Sequence, residues 1–223
     1  IPLSIDGYPH RTAILLIDGI AGVGEEATLM AALLLGGDVP IAGAAAADDW
    51  QINATWVGCG SRVVSDGVAI AMIYSKQPLG IGVAHGHRPF SEIMKVTRSA
   101  GNIVHEINGR PAWDVWAEAT RIEALKDGMD PYQLADASAK QKFFSQIEAG
   151  IPVGKEYKMR PPLALVTESG SLAFTCGIVE GTEFRFMRSG PGEQIESARE
   201  VARRAAHQLG DRPVAGALVF DCV

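Results

Sequence analysis

Two histidines one residue apart, with an arginine directly behind them, form the densest group of reactive side chains in the chain: His85-Gly86-His87-Arg88-Pro89. On an extended backbone alternate residues project to one face, so His85 and His87 can act together. Imidazoles placed in this way can ligate a metal or a haem iron, exchange protons near neutral pH, or meet an anionic ligand beside Arg88. A metal site needs more ligands than this spacing supplies. A strand end whose histidines bond locally accounts for the same pattern.

Three further groups are candidates. Asp48-Asp49 follows a stretch of small residues containing Gly43, and such acids can bind an amine or a cation or simply close a solvated turn. Asp221-Cys222 ends the last apolar run. A thiol there is either a buried small hydrophobe or a nucleophile that needs a base such as His85 or His87 within reach. His105 sits in a hairpin pattern and His207 near a helix C-terminus, where a cation is favoured; both read as structural. Cys59 and Cys176 have glycine neighbours and read as sheet interior. Trp113 and Trp116, three apart on a helix, read as core.

The sequence holds no G-x-x-x-x-G-K-[ST], no G-x-G-x-x-G opening a helix, no H-E-x-x-H and no G-x-S-x-G, which weighs against an enzyme of those classes. A formal net charge of -6 and the lack of any Lys/Arg run argue against nucleic-acid binding. Apolar runs such as Ile41 to Ala47 and Val68 to Tyr74 are far shorter than the roughly 18 residues of a membrane span. Three widely spaced cysteines are no disulfide framework. With no signal peptide visible before an apolar segment, the expected location is cytoplasmic.

These residues must be positioned by the elements around them. Thr12 to Ile17 reads as a buried strand, and Glu25 to Leu35 as a helix with an acidic first turn and Gly36-Gly37 at its end. Thr55 to Val64 and Val68 to Ser75 read as two strands joined at Ser65-Asp66-Gly67. Leu79 to Ala84 reads as a third strand, with glycines at alternate positions where another backbone can approach closely. Ile93 to Arg98 and Asn102 to Ile107 form a second hairpin. A helix opens at Pro111 and runs to about Leu125. Residues 127–149 read as a peripheral connection with a helix-like Lys140 to Ile147, and residues 151–162 as irregular. Strands follow at Leu163 to Val166, Ser171 to Val179 and Thr182 to Met187. Glu193 to Leu209 has the clearest amphipathic helix pattern, and Val214 to Cys222 reads as a closing buried strand. The fold class expected is α+β (mixed α/β): a layered sandwich of largely antiparallel or mixed sheets with packed helices.

Several segments taken in order resemble one family. They are Pro40-Ile41-Ala42-Gly43-Ala44 with Asp48, the Asp66-Gly67 turn, His87-Arg88-Pro89, Lys95-Val96-Thr97, Glu106-Ile107-Asn108-Gly109-Arg110-Pro111-Ala112, and Leu218-Val219-Phe220-Asp221-Cys222. The series is similar to the FIST sensory domain. The resemblance divides the chain into an N-like part at 1–90, incomplete at its start, and a C-like part at 91–223. It implies a signal-transduction module that binds a small ligand, with amino acids as the ligand class, and that signals through a separate protein such as a histidine kinase. The ligand-site residues expected are His85, His87, Arg88, Asp48, Asp49 and Cys222, without a metal. Two alternatives stay open: a haem-based nitric oxide sensor using His85 or His87, and a hydrolase using Cys222 or a metal held by the histidines and an Asp.

Overall fold

The apolar run after Arg11 seeds strand β1 (His10–Asp18), and the computed structural model describes residues 2, 4–49, 51, 53–166 and 168–221. The chain divides into two bodies, residues 1–85 with 196–223, and residues 86–195.

In the first body β1 is followed by helix α1 (Gly24–Leu35) and strand β2 (Ile41–Ala46). Strand β2 runs parallel to β1, with Ala13 opposite Ile41. This is a strand–helix–strand crossover among described pairings that are otherwise antiparallel. Residues 55–64 are not one strand as the sequence suggests. They fold back on themselves as β3 (Val57–Cys59) and β4 (Arg62–Val64). Cys59, expected inside a sheet, is therefore exposed on a short hairpin. The Asp66-Gly67 turn leads into β5 (Val68–Ser75), which pairs antiparallel with β1 rather than with β4. The sheet order is β2-β1-β5.

Asp18 explains the altered pairing. Its carboxylate, 6% exposed at the end of β1, accepts the Thr55 hydroxyl, the Ile20 N–H at 2.9 Å and the Asp66 N–H at 2.7 Å. These bonds hold its pKa below the usual carboxylate range, the Thr55 hydroxyl foremost. One ionised side chain thus gathers three loops at the mouth of β1.

The second body contains strands β6 (Arg88–Pro89), β7 (Met94–Ala100), β8 (Ile103–Ile107) and β9 (Arg110–Pro111). Helices α2 (Ala112–Lys126) and α3 (Ala137–Gln146) follow. Five strands complete it: β10 (Ile147–Val153), β11 (Glu156–Arg160), β12 (Pro162–Val166), β13 (Ser171–Phe174) and β14 (Glu183–Arg188). They form one nearly closed, barrel-like sheet in the order β11-β10-β14-β7-β8-β13-β12. Strand β6 adds to β14, and β9 adds to β8.

The main core lies here. Trp116 on α2 is fully buried against the rings of Phe174, Phe184 and Phe186, the last 4.7 Å away and edge-on. Residues 127–149 are not peripheral: Phe143, Phe144, Ile147 and Ala149 are all in this core. Residues 151–162 are not irregular, because β10 and β11 pair there from Ala149 opposite Arg160 to Val153 opposite Glu156. Ser171 to Val179 forms a strand only as far as Phe174, and β13 pairs with β8 and β12, not with β14. The overall class is α+β, as expected.

Helix α4 (Pro191–Leu209) completes the regular structure. Two expected strands are absent. Residues 79–84 are extended but join no ladder. Instead they lie along α4, where a Cβ on Gly80 would sit 2.0 Å from the Ala205 carbonyl oxygen and one on Gly82 2.0 Å from that of Val201. The close backbone approach expected from the glycines is real, but the neighbour is a helix. Gln208 takes the place of a partner strand: its amide donates to the Ile81 carbonyl at 2.7 Å and its oxygen accepts the Ile81 N–H at 3.2 Å. Residues 214–221 are exposed and belong to no strand. Strand propensity depends on context, and none of the described strands pairs with this run. Cys222 lies outside the described residues.

Candidate functional site

His87 enters the site from the residue before β6. Strand β6 pairs antiparallel with β14, Arg88 opposite Arg188 and Pro89 opposite Met187. One further step in that register puts His87 across from Ser189. Their side chains meet, Ser189 Oγ lying 3.5 Å from His87 Nε2. Strand β14 also pairs with β10, where Met187 stands opposite Glu148. Glu148 Oε1 reaches 3.6 Å from the same His87 Nε2, with side-chain exposures of 14% for the glutamate and 11% for the histidine. The Gln194 amide, in the first turn of α4, donates to Ser189 Oγ at 2.8 Å.

Gly86 lets these pieces meet. A Cβ at this position would lie 2.9 Å from the backbone of both Glu193 and Gln194. Only glycine allows the chain ahead of His87 to lie this close to the start of α4.

Burial pushes the Glu148 carboxyl up to about 7. The site therefore contains a carboxyl that exchanges its proton near neutrality, beside an imidazole, a hydroxyl and a carboxamide. It does not have the order of a Ser-His-acid triad. There the acid and the serine bind opposite ring nitrogens, whereas Glu148 and Ser189 both approach Nε2. An iron would likewise have to displace both from Nε2 to be bound by His87 through that atom. Among the described residues no three His, Cys, Asp or Glu side chains group where they could hold a metal ion.

The other expected site residues lie elsewhere. Arg88 is exposed on β6. His85 is half-buried and belongs to the first body, and the segment 81–87 is not a strand, so a shared face with His87 does not follow. Asp48 closes its own loop, its Oδ2 accepting the N–H groups of Asn53 at 2.7 Å and Ala54 at 3.1 Å. Asp49 follows with a left-handed φ of 56°. Both belong to the first body.

Glu148, Ser189 and Gln194 are absent from the sequence-based set. Glu148 carried a signal, since Ile147-Glu148-Ala149-Gly150-Ile151 places a single carboxylate in an otherwise apolar run. Reading residue 147 as the end of a helix concealed it. Ser189 and Gln194 flank a Gly-Pro-Gly break and carry no comparable mark.

Family models match the whole length with these elements in order, the FIST N domain over residues 3–110 and the FIST C domain over residues 112–223. The chain belongs to the FIST family. FIST domains are recognised as sensory domains of signal transduction. An uncharacterized protein of Methanocaldococcus jannaschii is 29% identical over 180 residues, covering 75% of this chain and 33% of that protein. This FIST chain thus spans about a third of the length of the curated relative it matches. No solved structure matches it. No helix among the described residues is long and apolar enough to cross a membrane.

Proposed function

We propose that this chain senses a small zwitterionic ligand of the amino-acid class, bound at His87, Glu148, Ser189 and Gln194. The observation that carries the reading is the nearly buried His87–Glu148 pair, flanked by neutral hydrogen-bonding groups. Ionised Glu148 is the acceptor for a ligand ammonium group. The Ser189 hydroxyl and the Gln194 amide are donors for its carboxylate. Partial exposure of both members of the pair leaves a way in from solvent. Pairing of a desolvated charge with an opposite one offsets part of its burial cost, so a ligand cation is favoured beside Glu148.

The output is to a separate signalling protein, such as a histidine kinase, in the cytoplasm. His85, Arg88, Asp48, Asp49 and Cys222 remain candidates on their residue chemistry in the sequence alone. Thermal unfolding in the presence of each standard amino acid at millimolar concentration tests the reading. A ligand present at about 100 times its Kd stabilises by about 2.7 kcal/mol, and Glu148→Gln removes that shift. Unchanged unfolding with every amino acid sinks the proposal.

A further inference from the structure

We infer that Ser169 is a nucleophilic serine, activated through Ser171 by His105, that takes the acyl group of a carboxylic ester. The three residues lie in the second body and include none of the groups of the amino-acid site. Ser171 Oγ lies 2.9 Å from His105 Nδ1, and Ser169 Oγ donates to Ser171 Oγ at 2.8 Å. Ser171 is 1% exposed. Ser169 is exposed and His105 half-buried. The relay therefore runs from a hydroxyl in solvent, through a buried one, to an imidazole.

A hairpin and its neighbouring strand bring the three together. The chain turns between β12 and β13, where Val166 stands opposite Ser171. Ser169 and Gly170 lie in that turn. The Ser169 N–H donates to the Val166 carbonyl at 3.2 Å, and Gly170 takes a left-handed φ of 64°. The Gly170 carbonyl accepts the Trp113 N–H at 2.9 Å, which ties the turn to the start of α2. On its other edge β13 pairs with β8, Leu172 opposite Val104, and one further step in that register sets Ser171 across from His105. Leu172 and Val104 belong to the core, so alternation turns Ser171 and His105 to the outer face. Val166 and Ala164 on β12, Ala173 on β13 and Ile103 on β8 share that face by the same registers. They form an apolar shelf beside the hydroxyls, of a size for a short acyl chain.

The order of hydrogens sets the chemistry. Ser169 gives its hydrogen to Ser171, so the Ser171 hydrogen is left for His105 Nδ1, and the ring carries its own on Nε2. The competing acceptor for the Ser169 hydroxyl, the Val166 carbonyl, is farther away at 3.4 Å. Attack by Ser169 Oγ on an ester carbonyl forms the bond from Oγ to the acyl carbon and breaks the bond from that carbon to the alcohol oxygen. The Ser169 proton passes to Ser171 Oγ as the Ser171 proton passes to His105 Nδ1. The departing alkoxide then takes a proton delivered by His105 through Ser171. The products are an acylated Ser169 and a free alcohol, with Ser171 and His105 restored. A positioned base of this kind contributes typically about 10²–10⁴-fold in rate.

The test incubates the whole chain with p-nitrophenyl butyrate and follows both nitrophenolate release and the mass of each peptide. An initial burst of about one equivalent, with a butyryl group on Ser169, is expected. Ser169→Ala, a change at an exposed position, abolishes both. Ser171→Ala and His105→Gln slow the acylation by about 10²-fold or more. The wild-type rate in mixtures of light and heavy water reads the relay itself and needs no variant. Two protons in flight give a curved dependence on deuterium fraction, whereas a merely structural role for Ser171 and His105 leaves it straight. The absence of a burst, a butyryl group on other residues alone, acylation of Ser171→Ala at the wild-type rate, or a straight dependence on deuterium fraction overturns the inference.

Discussion

Glu148 Oε1, on the strand beside β14, and Ser189 Oγ, at the end of β14 itself, converge on one atom, His87 Nε2. The histidine can serve only one of them fully at a time. Its protonation therefore decides whether Ser189 donates to the ring or the ring donates to Glu148.

This geometry predicts a pH dependence of stability. The folded chain keeps the Glu148 proton up to about pH 7. The unfolded chain gives it up in the usual carboxylate range. Between these limits the folded state binds more protons, so stability falls as pH rises and levels off above about 7. The full effect is roughly 3 kcal/mol, reduced by the attraction of a charged His87. Unfolding of the wild type and Glu148→Gln, compared from pH 4 to pH 8, should show the wild type losing ground over this window. Parallel curves would contradict the assignment.

The close contact along α4 predicts intolerance at Gly82. In Gly82→Ala the new methyl would lie 2.0 Å from the Val201 carbonyl oxygen, a backbone atom that a rotamer change cannot relieve. A loss of about 1–3 kcal/mol follows from forced overpacking, measurable by urea denaturation. A change at Gly192, which meets nothing within 4 Å, provides the control.

Trp116 anchors the second body. Trp116→Ala removes a fully buried indole from three phenylalanine rings. A loss of about 3–5 kcal/mol is expected. Loss of near-ultraviolet circular dichroism would accompany it, because the tight aromatic packing is gone.

Thr55→Val tests the junction at Asp18. The substitution keeps the shape but withdraws one donor from a buried carboxylate, with an expected loss of about 1–3 kcal/mol. Because the folded-state pKa of Asp18 is depressed, its contribution is present above the usual carboxylate range and lost as pH falls through the folded value. Thr55→Val should therefore narrow the gap between stability at neutral and at acid pH.

Elements with a local signature were legible in the sequence. Helices α1, α2 and α4 lie within a few residues of their expected positions because acidic first turns, Pro111 and an apolar stripe mark them. The β7–β8 hairpin is marked by its alternation around Ser99-Ala100-Gly101. Partner choice was not legible. β5 joins β1 instead of β4 because Asp18 draws in the Asp66 amide from 48 residues away. Residues 79–84 have strand composition but lie along a helix. At the site, His87 was visible as one of a histidine pair. Glu148 and Ser189 were not, since only the three-strand register of β6, β14 and β10 brings them to it.

The seating of Gly80 and Gly82 on α4 is a match between two rulers. Two residues of extended chain advance about 6.6 Å, and four residues of helix about 6.0 Å. Gly80 and Gly82 accordingly fall on Ala205 and Val201, four positions apart. The two repeats are nearly commensurate, so this contact has stepped rather than continuous adjustment. A slip would have to advance by about one helical turn before both glycines again met small gaps over carbonyls. Inserting or deleting a single residue between them would put a side chain where only a hydrogen fits.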